Sequence, residues 1–375
     1  MTSARFVRAD HVGSLLRPRP LLDARRAHSA GDLSDVEFKA VEDAGVREVV
    51  ALQQDAGCPV VTDGELRRES FQSGLTDAVD GFAGVTIDAW LWGDWHSDDV
   101  GDRSVERPPE LAVVDRLRRR RFLAAEELTF LRAVTDRIPK ITLPSPSLFA
   151  NLWHPERSRD AYPALDDFLA DVVGILVDEV RELARLGCTY VQLDAPQYPL
   201  LIDPAWRAYY EARGWPADEW VARGIEFDNA VIDAAPEGMT VGFHLCRGNQ
   251  GSRWLVSGGY DAIARPVFGG VHAHRLLLEY DDERSGGFDP LALVPDDKVV
   301  VLGLVTTKTP RVETEDELLA RIEEATRHVP LERLALGTQC GFSTSTVGNA
   351  ITVEDERRKL RTIARTAERV WGELV

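Results

Sequence analysis

Two side chains able to bind a metal or act as nucleophiles stand one residue apart in the stretch VGFHLC: His244 and Cys246. On a β-strand, positions i and i+2 share a face, so both groups point the same way. Imidazole with thiolate suits zinc, which is borderline-soft and accepts tetrahedral nitrogen and sulfur ligands. The plainer alternative is a core histidine beside an inert thiol, since H-x-C is a short pattern and cysteine is among the most buried residue types. Two other chain segments offer partners: Glu279 near the end of HRLLLEY and Cys340 at the end of RLALGTQC.

Whether such groups can meet depends on the elements that carry them. Eight β-branched or apolar runs read as strands: FVRADHVGS, CPVVTDGE, PKITLPSP, TYVQLDAP, MTVGFHLC, HRLLLEY, KVVVLGLV and RLALGTQC. Most are followed by an amphipathic stretch, such as DFLADVVGILVDEVRELARLG, whose closing Gly187 marks a helix C-terminus, or TEDELLARIEEATRHV. Eight strand–helix units predict an α/β fold of the (β/α)8 TIM-barrel type, residues 1–375 forming one catalytic domain. The interval of about residues 70–136 exceeds one crossover helix, so it reads as an insertion after the second strand that returns in a helix. Its Arg118–Arg121 run reads as a solvated helix face.

In this fold, chemistry sits at the C-terminal ends of the strands. There the sequence places His11 and Ser14, Asp63 and Glu65, Ser145 and Ser147, Asp194, His244 and Cys246, Glu279, Thr306 to Lys308, and Gln339 with Cys340. The strand ends converge on one mouth, where His244, Cys246, Glu279 and Cys340 can surround a single ion. Cys58 and Cys188 instead precede their strands and belong to the opposite, structural rim. Asp194 and Glu65 are candidates for holding a cationic amine or for acid–base work, with a salt bridge or helix cap as the plain alternative. His11 is either a substrate contact or a support for the first loop. His272 and His274 precede the sixth strand and read as structural or surface residues.

The formal net charge of −18 argues against nucleic acid or an anionic membrane as a partner, because the overall field repels phosphate. Four cysteines in 375 residues make no disulfide framework. The N-terminal stretch has no uninterrupted apolar segment, and no run approaches the roughly 20 apolar residues of a membrane span. The expected setting is therefore the cytoplasm. Nothing in the sequence indicates an oligomeric state.

Taken in order, the motifs resemble the cobalamin-independent methionine synthase family, specifically its C-terminal catalytic barrel. HVGSLLRP is similar to its opening strand and loop, TDGELRRESF to its Gly-Glu segment, and YVQLDAP to the strand bearing its amino-acid-binding Asp. HLC, LLLEY and TQCGFST resemble its zinc-ligand segments. The resemblance implies Zn2+ on His244, Cys246, Glu279 and Cys340, with Ser14, Glu65 and Asp194 holding the amino acid. It further implies a homocysteine-like thiol as acceptor and 5-methyltetrahydrofolate as methyl donor, the reaction of a 5-methyltetrahydropteroyltriglutamate–homocysteine methyltransferase. A pterin would stack on Trp153 or on the insertion's Trp90, Trp92 or Trp95, unless these are core or loop anchors.

Two departures stand out. The family's Asp-Glu-Pro reads Asp194-Ala195-Pro196, and its strand-seven histidine, implicated in proton delivery to the donor, is Lys308. The thiol half of the reaction thus transfers better than the donor half. Alternatives are a zinc-dependent alkyltransferase of the epoxyalkane:coenzyme M type, in which Arg17, Arg247 or Lys308 would meet a sulfonate, a non-catalytic zinc or thiol-metabolite binder, and a metal-free barrel with core cysteines.

Overall fold

The computed structural model describes residues 4–83 and 91–375. Seven parallel strands form the central sheet: β1 (Val60–Val61), then β6 (Ile138–Pro144), β7 (Tyr190–Asp194), β8 (Thr240–Leu245), β9 (Arg275–Glu279), β10 (Val299–Val305) and β11 (Leu334–Thr338), paired in that order. The intervening β2 (Val79–Phe82), β3 (Gly93–Trp95), β4 (Arg103–Val105) and β5 (Val113–Arg119) lie in the inserted segment. Sequence order equals spatial order in the sheet, as in a barrel of β/α units.

The first expected strand, FVRADHVGS, is reduced to a single parallel bridge, Ala9 with Leu336. Asp10 N–H donates to Leu336 O (2.9 Å) and Leu336 N–H to Arg8 O (2.8 Å). Gly13 then takes φ +142°, and a Cβ there would lie 2.7 Å from Thr142, so glycine is required and the extended run ends. The segment still spans the gap between β11 and β1. Thr62 Oγ1 donates to Gly13 O (2.6 Å), and Leu15 N–H to Gly64 O (3.0 Å).

Helices cover the outside of the sheet. Leu165–Arg185 buries Phe168, Leu169, Val172, Leu176, Val180 and Leu183, one stripe at helical spacing, in the apolar core shared with Ile141, Val191 and Leu193 of the strands. It ends before Gly187, whose φ of +85° lets the chain turn into β7. Thr314 and Glu317 form a capping box at the start of Glu315–Ala325. No helix of the described residues is long and apolar enough to cross a membrane.

The insertion differs from its expected form. Its helices are Ser73–Ala78 and Ala125–Val134, but between them stand two antiparallel pairs, β2 with β5 and β3 with β4. The arginine run lies at the end of β5 and in the turn after it, not on a helix. Arg118 and Arg120 pair with Asp80, and Arg119 with Asp178. Alternation along VVDRLRR satisfies the two-residue period of a ribbon, and Asp80 across the ladder balances the charge.

The barrel interior is polar on one side. Lys140 donates to Asp10 Oδ1 (2.8 Å) and Gln192 Oε1 (2.9 Å), while Arg275 and Tyr190 bond Asp10 Oδ2 at 3.2 and 2.7 Å. These partners outweigh burial and bring the Asp10 pKa down to about 2.

The loop carrying Ser14 is fixed by Glu356, on helix Val353–Trp371, whose Oε1 accepts Leu16 N–H (2.9 Å). Burial pushes this carboxyl up to about 8, and its other oxygen has no partner. Folded chain therefore holds the proton to higher pH than unfolded chain, and stability falls by up to about 1.4 kcal/mol per pH unit between the ordinary glutamate range and about 8. Glu356→Gln keeps the acceptor and removes the titration. Its melting temperature is expected to exceed the parent's by a margin that widens from about pH 5 to about pH 8.5; a margin independent of pH would refute the assignment.

Candidate active site

β8 brings His244 into the barrel mouth in register with Asp194 of β7. His244 Nδ1 lies 3.2 Å from the Leu277 carbonyl on β9, which assigns its proton there and leaves the buried Nε2 without a hydrogen-bond partner. Cys246 follows on the same face, and Cys340 enters two residues beyond β11. The ligand atoms of His244, Cys246 and Cys340 lie within 4.8 Å of one another, and all three residues are buried. An orphaned imidazole nitrogen facing two thiols fits a zinc ion, with two soft sulfurs and one nitrogen.

The electrostatics separate this pair of cysteines from the other pair. Burial pushes Cys58 and Cys188 each up to about 12, and the Cys188 thiol donates to Tyr190 O (3.3 Å). Cys246 instead moves well below the thiol range, because the Cys340 thiol bonds to it and His244 stands beside it. Cys340 moves up correspondingly, holding the shared proton. Burial opposes charge on His244, but Cys246 and Asp194 raise its pKa.

A pocket opens over this trio. Ser14, Glu65 and Asp194 line one side together with Asn249, while Val12, Phe71, Leu91, Trp95 and Pro196 supply apolar walls. Asp194 Oδ1 accepts from Gln192 Nε2 (2.8 Å), and burial, with Glu65 nearby, pushes its carboxyl up to about 7. Glu65 accepts from Thr142 Oγ1 (2.7 Å) at Oε1, and Oε2 is buried with no partner. Its backbone sits at φ +58°, a left-handed conformation that costs a non-glycine residue about 1 kcal/mol or more. Glu65 thus combines backbone strain, an orphaned oxygen and a place in the pocket wall. Ser14 packs on Gly341 so tightly that any Cβ there would collide with Ser14 Oγ.

Glu279 stands apart from the trio. Its Oε2 accepts Arg247 N–H (2.6 Å), and its Oε1 accepts from Arg284 (3.0 Å) and Lys308 Nζ (3.2 Å). Despite complete burial, Lys308, Arg284 and Arg247 hold its carboxyl well below the usual range. To join the metal ligands it would have to give up these cations. Lys308 likewise does not line the pocket: it sits behind Glu279 and is also 3.7 Å from Asp281, and these carboxylates raise its pKa against burial. His11 is outside the pocket as well. It is buried near the barrel floor, where its carbonyl accepts from Lys140 and its N–H donates to Asp10 (2.9 Å). Burial brings its ring down to about 4, so it is neutral at physiological pH.

Of the tryptophans, Trp95 lines the pocket. Trp92 packs with Trp206, Tyr209 and Arg107, Trp153 donates to Tyr162 O (3.1 Å), and Trp90 lies outside the described residues. His272 pairs with Asp233 at the surface, and His274 Nδ1 accepts Val241 N–H (3.0 Å). Sequence reasoning missed Asn249, which donates to Thr307 Oγ1 and Gly341 O (2.9 and 2.8 Å) and turns an unpartnered Oδ1 to the same region. Its position three residues beyond Cys246, in a Gly-flanked turn, was the available signal.

Residues 9–365 match the family described as "Cobalamin-independent synthase, Catalytic domain". The chain is 34% identical over 368 residues to the uncharacterized protein YxjG of Bacillus subtilis, covering 97% of this chain and 94% of that protein. It is 27% identical over 335 residues to methionine synthase of Pyrococcus abyssi, covering 88% and 85%. Among solved structures, the putative vitamin-B12 independent methionine synthase of Listeria monocytogenes superposes with a TM-score of 0.73 at 27% identity, covering 97% of this chain and 98% of that one.

The geometry separates three donors from Glu279, and metal content should follow. After dialysis against a mild chelator, Cys246→Ser and Cys340→Ala are expected to lose zinc while the fold persists by circular dichroism. Glu279→Gln is expected to retain at least about half of the parent's zinc, since three donors already define a site. Equal loss in all three variants, by atomic emission, would contradict that separation.

Proposed function

The chain belongs to the cobalamin-independent synthase catalytic-domain family, and on that premise we propose that it is a zinc-dependent thiol S-methyltransferase acting on a homocysteine-like acceptor. The observation that carries the reading is the buried convergence of His244 Nε2, Cys246 and Cys340 beneath a pocket walled by Asp194, Glu65 and Ser14. His244, Cys246 and Cys340 would hold the zinc, with Glu279 the carboxylate nearest to joining them. Zinc, when bound, supplies a Lewis acid that favours a thiolate at neutral pH, the form in which sulfur is nucleophilic.

The chain's own residues do the rest. Asp194 and the unpartnered Glu65 Oε2 receive the amino acid's ammonium, which offsets the cost of two buried carboxyls. The Ser14 hydroxyl faces its carboxylate. Gln192 keeps Asp194 in one orientation, so the sulfur reaches the cluster in one pose. The apolar walls, Val12, Phe71, Leu91, Trp95 and Pro196, keep water from the nucleophile. In the reaction the thiol loses its proton, a sulfur–carbon bond forms to the methyl group, and the donor's leaving atom departs with the bonding pair.

5-Methyltetrahydrofolate is the donor that the family implies. A sulfonate-bearing thiol fits less well: among the described residues no cation lines the pocket. Arg17 is spent on the carbonyls of Ser343, Ser345, Glu65 and Arg68, and Arg247 on those of Gly258, Glu279 and Ser285.

Zinc-loaded protein given homocysteine and 5-methyltetrahydrofolate should form methionine, with Asp194→Asn lowering kcat/KM by about 100-fold through loss of a charge-assisted contact. Methylation of a different thiol would replace the acceptor. Stable thiol binding without transfer from any methyl donor would make the protein a binder and overturn the enzymatic reading.

A further inference from the structure

The pocket's roof is built by a segment that the strand–helix scaffold does not require. Trp95 closes β3, is 2% exposed, and lines the same pocket as Cys246 and Cys340. Its position is over-determined. Trp95 is in antiparallel register with Arg103. The next residue, His96, bridges Trp254 through two backbone bonds of 2.8 and 2.9 Å. Leu255 and Val256 N–H in turn donate to Arg247 O (2.8 and 3.2 Å), the residue that follows Cys246. At the far side of the hairpin, Arg253 donates to Val100 O and Gly101 O (3.0 and 2.8 Å). The inserted hairpin is thus stitched to the loop that carries Cys246, not merely draped over it.

The indole lies directly against Gly248, where an added Cβ would come within 3.0 Å of the ring and 2.9 Å of Leu255. The φ of +90° at Gly248 independently demands glycine. Two residues beyond Cys246, the backbone is therefore flattened to admit an aromatic ring. The ring's Nε1–H is buried without a partner, a cost that a residue serving only to fill the core would avoid.

We propose that Trp95 is a specificity-determining residue of this site, setting the size of the sulfur substituent that fits above the His244–Cys246–Cys340 cluster and restricting the transferred group to methyl. This rests on the thiol-methyltransferase reading. A rigid, locked indole is suited to the task because it has nowhere to move when a longer chain enters: the hairpin bonds, the Gly248 contact and Leu255 oppose displacement in different directions. Phe71 and Leu91 complete the roof.

The test needs no methyl donor. Binding of homocysteine, methionine, ethionine and S-butyl-homocysteine to zinc-loaded protein is measured by calorimetry. The parent is expected to bind methionine at least about tenfold more tightly than the S-butyl compound, the discrimination an apolar pocket gives against extra methylenes. Trp95→Ala is expected to bring the two within about threefold. Trp95→Leu, which keeps apolar volume and serves if the alanine variant fails to fold, should admit ethionine but not the S-butyl compound. A folded Trp95→Ala that binds homocysteine and keeps the parent's preference would overturn the assignment, as would a parent that does not discriminate. A parent that binds no homocysteine would instead overturn the functional reading on which the assignment rests.

Discussion

The parallel register that sets Asp194 opposite His244 is the constraint on which the mouth of this barrel depends. Because side chains alternate across a strand, a slip of β8 by one residue would turn His244 outward among the helices and bring Phe243 toward the interior while Asp194 stayed in place. The register is secured from below as well as within. Lys140, Gln192 and Arg275, from β6, β7 and β9, converge on Asp10 or its neighbours, so four separate chain segments must align for one buried carboxylate to be satisfied. Leaving any of those charges unpaired would cost several kcal/mol. The network selects one alignment rather than adding much net stability, and the site inherits that alignment.

Much of the site was readable in the chain because it is written in strand parity and strand ends. The H-x-C spacing, the place of Cys340 at the end of the last strand, and the opposite placement of Cys58 and Cys188 are all properties of one strand at a time. Side-chain periodicity makes such properties visible. What escaped is non-local. Glu279 looks like a fourth ligand in LLLEY, yet its partners come from the backbone of residue 247, from Arg284 in the following loop and from Lys308 after β10. No spacing rule joins those positions. The arginine run after Val113 was misread as helical because charge density says nothing of period over four residues; the facing Asp80 decides its role from another strand. The first strand was overextended because Gly13 ends it for a tertiary reason, the approach of Thr142.

The insertion changes how the barrel should be viewed. A TIM barrel positions chemistry on rigid strand ends and leaves selectivity to its loops. Here the loop after Cys246 is held by Arg247, whose guanidinium reaches three carbonyls, and by the His96–Trp254 bridge to the insertion. The segment bearing one thiol and the segment roofing it are one packed unit. The roof cannot shift without tugging on the strand that bears Cys246.

The substitution of lysine at position 308 makes sense in terms of charge. Arg247, Arg284 and Lys308 surround Glu279, Asp281 and Asp282, so three cations face three carboxylates. Burial raises Asp281 to about 6, so it is ionised at neutral pH. Lys308 contributes to lowering Cys340, and the imidazole of His244 sits on the other side of Cys246. A histidine at 308 would be neutral over much of the physiological range and would weaken this balance. The lysine stays charged beside two carboxylates, which raise its pKa against burial. Its ion pairs with Glu279 and Asp281 tie the loop after β10 to the end of β9 with a charge that does not titrate in the neutral range, which a histidine could not do.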